Sequence, residues 1–68
     1  MKLPIRLDHF LKYVGIAQTG GHAKLLIQSG EISVNDVVET RRGSKLRSGD
    51  VVCYEEQRFV VSETPNSK

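Results

Sequence analysis

Leu7, Phe10, Leu11 and Val14 recur at i, i+3, i+4 and i+7, the spacing that puts apolar side chains on one face of a helix. Gly15 follows where a left-handed C-terminal cap is needed, so the first helix should end there. A second stripe, Ala23, Leu26 and Ile27, runs from Thr19, whose hydroxyl can cap a helix, to Gly30. From Ile32 the period drops to two: Ile32 and Val34 face one way, Ser33 and Asn35 the other. Asn35-Asp36 suits a two-residue hairpin turn into Val37-Val38-Glu39. Gly49-Asp50 introduces a further strand from Val51 to Tyr54, and Glu55-Glu56 can turn the chain into Gln57 to Val61. The pattern is two helices followed by a small set of strands, with a polar tail, residues 64–68, expected to be frayed.

Between the strands lies the segment that changes the picture. Arg41, Arg42, Lys45 and Arg47 occur with no acid among them until Asp50. Strand-like runs on both sides should hold these cations on a loop fixed by a scaffold, and fixed cations usually meet phosphates. The net charge of +2 says little by itself, but its distribution says more. Lys2, Arg6, Lys12, Lys24, Arg41, Arg42, Lys45 and Arg47 face only Asp8, Glu31, Asp36 and Glu39 up to residue 47, whereas the remainder is net acidic. A molecule with one polyanion-facing side would show this asymmetry, and a dense but ordinary solvated surface is the plainer alternative.

With 68 residues the chain supports one domain, expected to span 1–63, and leaves no room for a deep catalytic cleft. The single cysteine, Cys53, excludes an intramolecular disulfide and suggests a packed thiol in a reducing compartment, so the cytoplasm is the expected location. The start Met1-Lys2-Leu3-Pro4-Ile5-Arg6 is broken by proline and charge and does not read as a signal peptide. No apolar run reaches the roughly 18 residues of a membrane span.

Catalytic chemistry is not indicated. His9 and His22 have no H-E-x-x-H or C-x-x-C companion, so neither a metal site nor any other cofactor is expected. The serines lack a nucleophile-elbow context, and no glycine run is followed by the Lys-Ser or Lys-Thr of a nucleotide loop. Asp8 reads as a helix-start acid beside a surface histidine. Phe10, Tyr13, Tyr54 and Phe59 all sit in apolar-periodic segments and read as core residues before base-stacking platforms. Gly20 and Gly21 are poor helix formers in a first turn: either they open the helix amides to a phosphate or they merely begin the turn.

The order of residues is also distinctive. Arg6-Leu7-Asp8-x-Phe10-Leu11-Lys12, then Thr19, Ala23-Lys24-x-x-Ile27-x-x-Gly30, Ile32-x-Val34-Asn35 and Lys45-Leu46-x-x-Gly49-Asp50-Val51-Val52, resembles the small RNA-binding domain named after small-subunit ribosomal protein S-four. Within that family the chain is most similar to the short stand-alone bacterial members, through Thr19 to Gly21 and Arg41 to Gly43. The resemblance implies an α+β fold, two N-terminal helices packed on a small twisted, mostly antiparallel sheet (the alpha-L motif). Carried over position by position, it implies RNA phosphate contacts from Arg6 and Lys12, a helix-two contact formed by Thr19, Gly20, Gly21, His22 and Lys24, and loop charge from Arg41, Arg42, Lys45 and Arg47. Two departures accompany it: Thr19-Gly20 stands where many members have Ser-Arg, and Val34-Asn35-Asp36 where many have Val-Asn-Gly.

The individual residues also admit structural readings. Arg6 could pair with Asp8 or Glu39, Lys12 and Lys24 could be solvated helix residues, and Asp50 and Asn35 could be turn formers. The expected function is non-catalytic binding of structured RNA, ribosomal or transfer RNA and with it the ribosome, by a monomer working through backbone contacts. The alternative is a protein-interaction module docking its basic loop on an acidic partner. An appendage of a larger modifying enzyme is a third reading, less favoured by the starting Met1 and the polar end.

Overall fold

The computed structural model describes residues 2–62, so the expected tail at 64–68 lies outside the described residues. The elements run β1 (Ile5–Arg6), α1 (Leu7–Tyr13), α2 (Gly20–Gln28), β2 (Ile32–Val34), β3 (Val37–Val38), β4 (Lys45–Leu46), β5 (Val51–Tyr54) and β6 (Gln57–Val60). A four-stranded antiparallel sheet has the order β3-β2-β5-β6, and β1 pairs separately with β4. The fold is the expected α+β arrangement of two helices and a small antiparallel sheet.

Periodicity accounts for the core. Leu7, Phe10 and Leu11 of α1 and Ala23, Leu26 and Ile27 of α2 are buried together with Ile32, Leu46, Val52 and Val61, while Val14, Val34, Tyr54 and Phe59 pack around them. Both helices end at left-handed glycines one residue beyond the C-cap, Gly15 at φ 87° after Val14 and Gly30 at φ 84° after Ser29. The hairpin turn is formed by Asn35 at φ 54° and Asp36 at φ 70°, both positive as a type I′ turn demands. Asn35 does more than turn the chain. Its amide donates to the Asp50 carboxylate at 3.1 Å and its carbonyl accepts from the Val51 amide at 3.0 Å, which ties the hairpin to the start of β5.

Two features depart from the sequence expectation. The basic segment is not wholly loop: Lys45–Leu46 forms β4, paired in register with the short β1, Arg6 opposite Lys45 and Ile5 opposite Leu46. Two-residue strands are too short for a period-two signal, and only the pairing reveals them. Tyr13 is also not a core residue, since it lies 55% exposed in the last turn of α1. Phe10, by contrast, is buried, and Tyr54 and Phe59 pack against the core.

Candidate nucleic-acid interface

Leu46 anchors the basic segment. It is fully buried, while Lys45 and Arg47 on either side are exposed, so one apolar side chain holds two flanking cations at the surface. The rest of the segment is fastened to α1. Helix starts leave amides without intrahelical partners, and Arg6, at the N-cap of α1, gives no side-chain cap. The loop supplies the acceptors instead: the Leu7 amide donates to the Ser44 carbonyl at 2.8 Å and the Asp8 amide to the Arg42 carbonyl at 3.1 Å. The Asp8 carboxylate takes the next amide, that of His9, at 2.9 Å.

Asp8 is the centre of this arrangement, the expected helix-start acid, but buried. It is 3% exposed, the one buried charged side chain among the described residues. Arg6 donates to it through Nε at 3.1 Å and Nη2 at 3.0 Å, and Arg42 through Nε at 3.1 Å. Burial pushes the Asp8 carboxyl up, but the hydrogen bonds from Arg42 and Arg6, the Arg6 charge and the His9 amide outweigh it and hold the group below its ordinary 3.8. Arg6 therefore takes Asp8 and not Glu39. Glu39 pairs with Arg41 at 3.1 Å and also accepts from the Arg41 amide and the Ser44 hydroxyl. Its carboxyl is held below the usual range chiefly by the Arg41 side chain and amide, with burial opposing them.

A carboxyl with a depressed folded-state value stabilises the fold above its ordinary value, and that contribution is lost as pH falls through the folded one. The melting temperature should accordingly hold between pH 8 and 5 and drop below about pH 4, with Asp8 a main source of the loss. Thermal melts followed by circular dichroism across this range check it. Asp8→Asn should flatten most of the acid limb, and an unchanged limb would remove Asp8 as its source.

The start of α2 completes the surface. Thr19 caps the helix as expected, its Oγ1 accepting from the His22 amide at 3.0 Å. The His22 ring returns the favour one position upstream, Nδ1 accepting from the Gln18 amide at 3.3 Å, which leaves Nε2 as the ring's donor. His22 thus has a structural task as part of a reciprocal cap. A Cβ placed on Gly20 would lie 3.7 Å from Arg42 Nη2, so the loop guanidinium sits directly against the first turn of α2. Lys24 follows Gly20 at i+4, and Lys12 follows Asp8 at i+4, so each lies one turn further along the same side of its helix.

Among the expected residues, the structure therefore gathers Arg6, Arg42, Lys45 and Gly20 around the meeting point of β1, the loop and α2, with Lys24 one turn further along α2. Gly21 and Thr19 belong to the same helix start, and Lys12 extends the surface along α1. Arg47 lies at its border, where its amide donates to Asp50 at 2.8 Å. Arg41 is turned toward Glu39 with an 82% exposed side chain. Two further acids, Glu55 and Glu31, stand near Tyr54, whose phenol is pushed up chiefly by the Glu55 charge, then by burial and Glu31. Sequence reasoning missed Asp8 as the link between Arg6 and Arg42. The Arg-x-Asp spacing hinted at the first pair, but nothing local signals a partner 34 positions away. Among the described residues no helix is long and apolar enough to cross a membrane, and no group of three or more His, Cys, Asp or Glu could hold a metal ion.

Comparison with known proteins agrees with the fold. The chain is 48% identical over 51 residues to "Probable ribosome maturation protein RlbA" of Bacillus subtilis, a match covering 75% of this chain and 72% of that protein. It is 34% identical over 50 residues to "Putative RNA-binding protein YbcJ" of Escherichia coli, covering 74% and 71% respectively. The family model described as the S4 domain matches residues 2–62, nearly the whole chain, and the chain belongs to the S4 domain family.

Proposed function

We propose that the protein is a non-catalytic module that binds structured RNA, ribosomal or transfer RNA, through backbone phosphates with little base readout. The observation that carries this reading is the placement of Arg42 against Gly20, which joins the basic segment to the glycine-opened start of α2 in one surface. Arg6, Lys12, Lys24, Arg41, Arg42, Lys45 and Arg47 supply the charge. The α2 amides at Gly20 and Gly21 add donors, and the helix dipole favours an anion there. Arg42 stands beside the position where many family members carry an arginine and this chain has Gly20, and it supplies a guanidinium from the loop. Membership of the S4 domain family and the names of the two relatives support the RNA assignment, and the ribosome maturation name favours ribosomal RNA or its precursors.

The α2 start offers a test in which stability and binding move in opposite directions. A Cβ on Gly21 would meet nothing closer than Thr19 Oγ1 at 3.9 Å, an ordinary contact, so a side chain fits. Gly21→Glu should hold or raise the melting temperature, because glycine is a poor helix former and an acid in the first turn suits the dipole by about 0.3 to 1 kcal/mol. The same carboxylate should repel phosphate and weaken binding to a transfer RNA or a ribosomal RNA hairpin by at least about tenfold. A folded Gly21→Glu protein that binds like its parent would show that RNA does not approach this helix end.

A further inference from the structure

Asp8 stands out as an acid buried inside the most basic surface of the molecule. A buried carboxylate among guanidiniums is weak evidence for stability, because desolvation can exceed the Coulombic gain. Its geometry is more telling. Asp8 engages two of Arg6's five N–H donors and one of Arg42's, leaving donors on both for another acceptor. Both side chains remain partly open, 43% and 38% exposed. Each guanidinium also lies beside a glycine: Arg42 Nη2, which Asp8 does not engage, is 3.7 Å from where a Gly20 Cβ would stand, and Arg6 Nη2, one of the two nitrogens bonded to Asp8, is 4.0 Å from where a Gly43 Cβ would stand. The amide of Asp8 also holds the Arg42 carbonyl, so loop and side chain are fixed from the same residue.

We infer that Asp8 is a positioning residue for RNA, a buried acid that holds Arg6 and Arg42 as a preset two-guanidinium fork for backbone phosphates beside two bare glycines. The inference rests on the RNA-binding reading above. Its physical content is entropy: a free arginine loses several rotamers on meeting a phosphate, and a side chain already held at one end loses fewer. The negative charge of Asp8 is spent on its two partners and sits behind them, so its orienting effect outweighs its repulsion of the ligand.

Asp8→Asn gives the idea a sign that charge counting does not share. The substitution raises the net charge by one, so a purely electrostatic surface would bind RNA more tightly, whereas loss of the fork should weaken binding about tenfold. Two further readouts separate positioning from simple structural damage. In the parent protein the Nε–H resonances of Arg6 and Arg42 should be resolved by NMR, and in Asp8→Asn they should collapse to the values of free arginine. In an Arg6→Lys, Arg42→Lys background, which keeps cations beside Asp8 but removes the fork, adding Asp8→Asn should leave RNA affinity within about twofold, and a further loss of about tenfold there would overturn the inference. Should Asp8→Asn fail to fold, Arg42→Lys carries the test: charge is kept, the fork is lost, and binding should fall about fivefold. A parent that binds the RNA probe while folded Asp8→Asn binds as tightly or more tightly overturns this inference alone, as does Arg42→Lys binding like the parent. A parent that binds no RNA overturns the reading beneath it.

Discussion

Replacing Arg41, Lys45 and Arg47 together with Ala should cost about 100-fold in affinity for structured RNA and leave the fold in place. The choice of residues follows from what each side chain does. Arg42 is left intact because it is one of the two guanidiniums on buried Asp8, and its loss would confuse binding with stability. Lys45 and Arg47 are exposed on either side of buried Leu46, so truncating them leaves the anchor untouched. Arg41 is bonded to Glu39 but its own side chain is largely in solvent, and pairs with one partner this exposed contribute little to folding. Removing it has a second effect, because Glu39 then faces the RNA without its partner and adds repulsion to the lost contact. The triple variant should melt within about 5 °C of the parent and show a salt dependence shallower by about two to three. A folded triple variant with parental affinity would place the RNA on another surface.

The helices and the main sheet were legible from residue spacing because their signals are local. Leu7, Phe10 and Leu11 define α1, Thr19 and Gly30 bracket α2, and Asn35-Asp36 marks the hairpin. What sequence did not reveal depends on contacts between distant segments. The pairing of β1 with β4 involves two residues on each side, below any detectable period. Tyr13 shows the opposite failure, a residue next to an apolar stripe that the helix turns outward.

The candidate site divides along the same line. The cations of the basic segment are visible as composition, and the family resemblance named the α2 start, but neither contains the information that Arg42 reaches Gly20. Asp8 was visible as a helix-start acid and as a possible partner of Arg6. Its burial and its bond to Arg42 arise because the loop carbonyls of Arg42 and Ser44 cap the start of α1. That capping is a tertiary substitute for the missing side-chain cap at Arg6, and sequence periodicity does not report it.

The central claim, recognition of RNA through backbone phosphates, has a direct measure in the salt dependence of binding. Arg6, Lys12, Lys24, Arg41, Arg42, Lys45 and Arg47 form the basic surface, and Asp8 and Glu39 each offset one of them, which leaves a net of about five charges to meet phosphates. Each phosphate neutralised contributes roughly 0.7 to 0.9 to the slope of log affinity against log salt, so the expected slope is about −3.5 to −4.5. Between 50 and 200 mM salt the affinity should then fall by about 100- to 500-fold. Docking of the basic segment on an acidic protein would bring no condensed counterions to release and would give a much shallower dependence. Titrating the protein with a transfer RNA or a ribosomal RNA hairpin at four salt concentrations settles the matter: a slope near −4 is the predicted result, and an affinity that barely changes across the range would contradict backbone recognition of RNA.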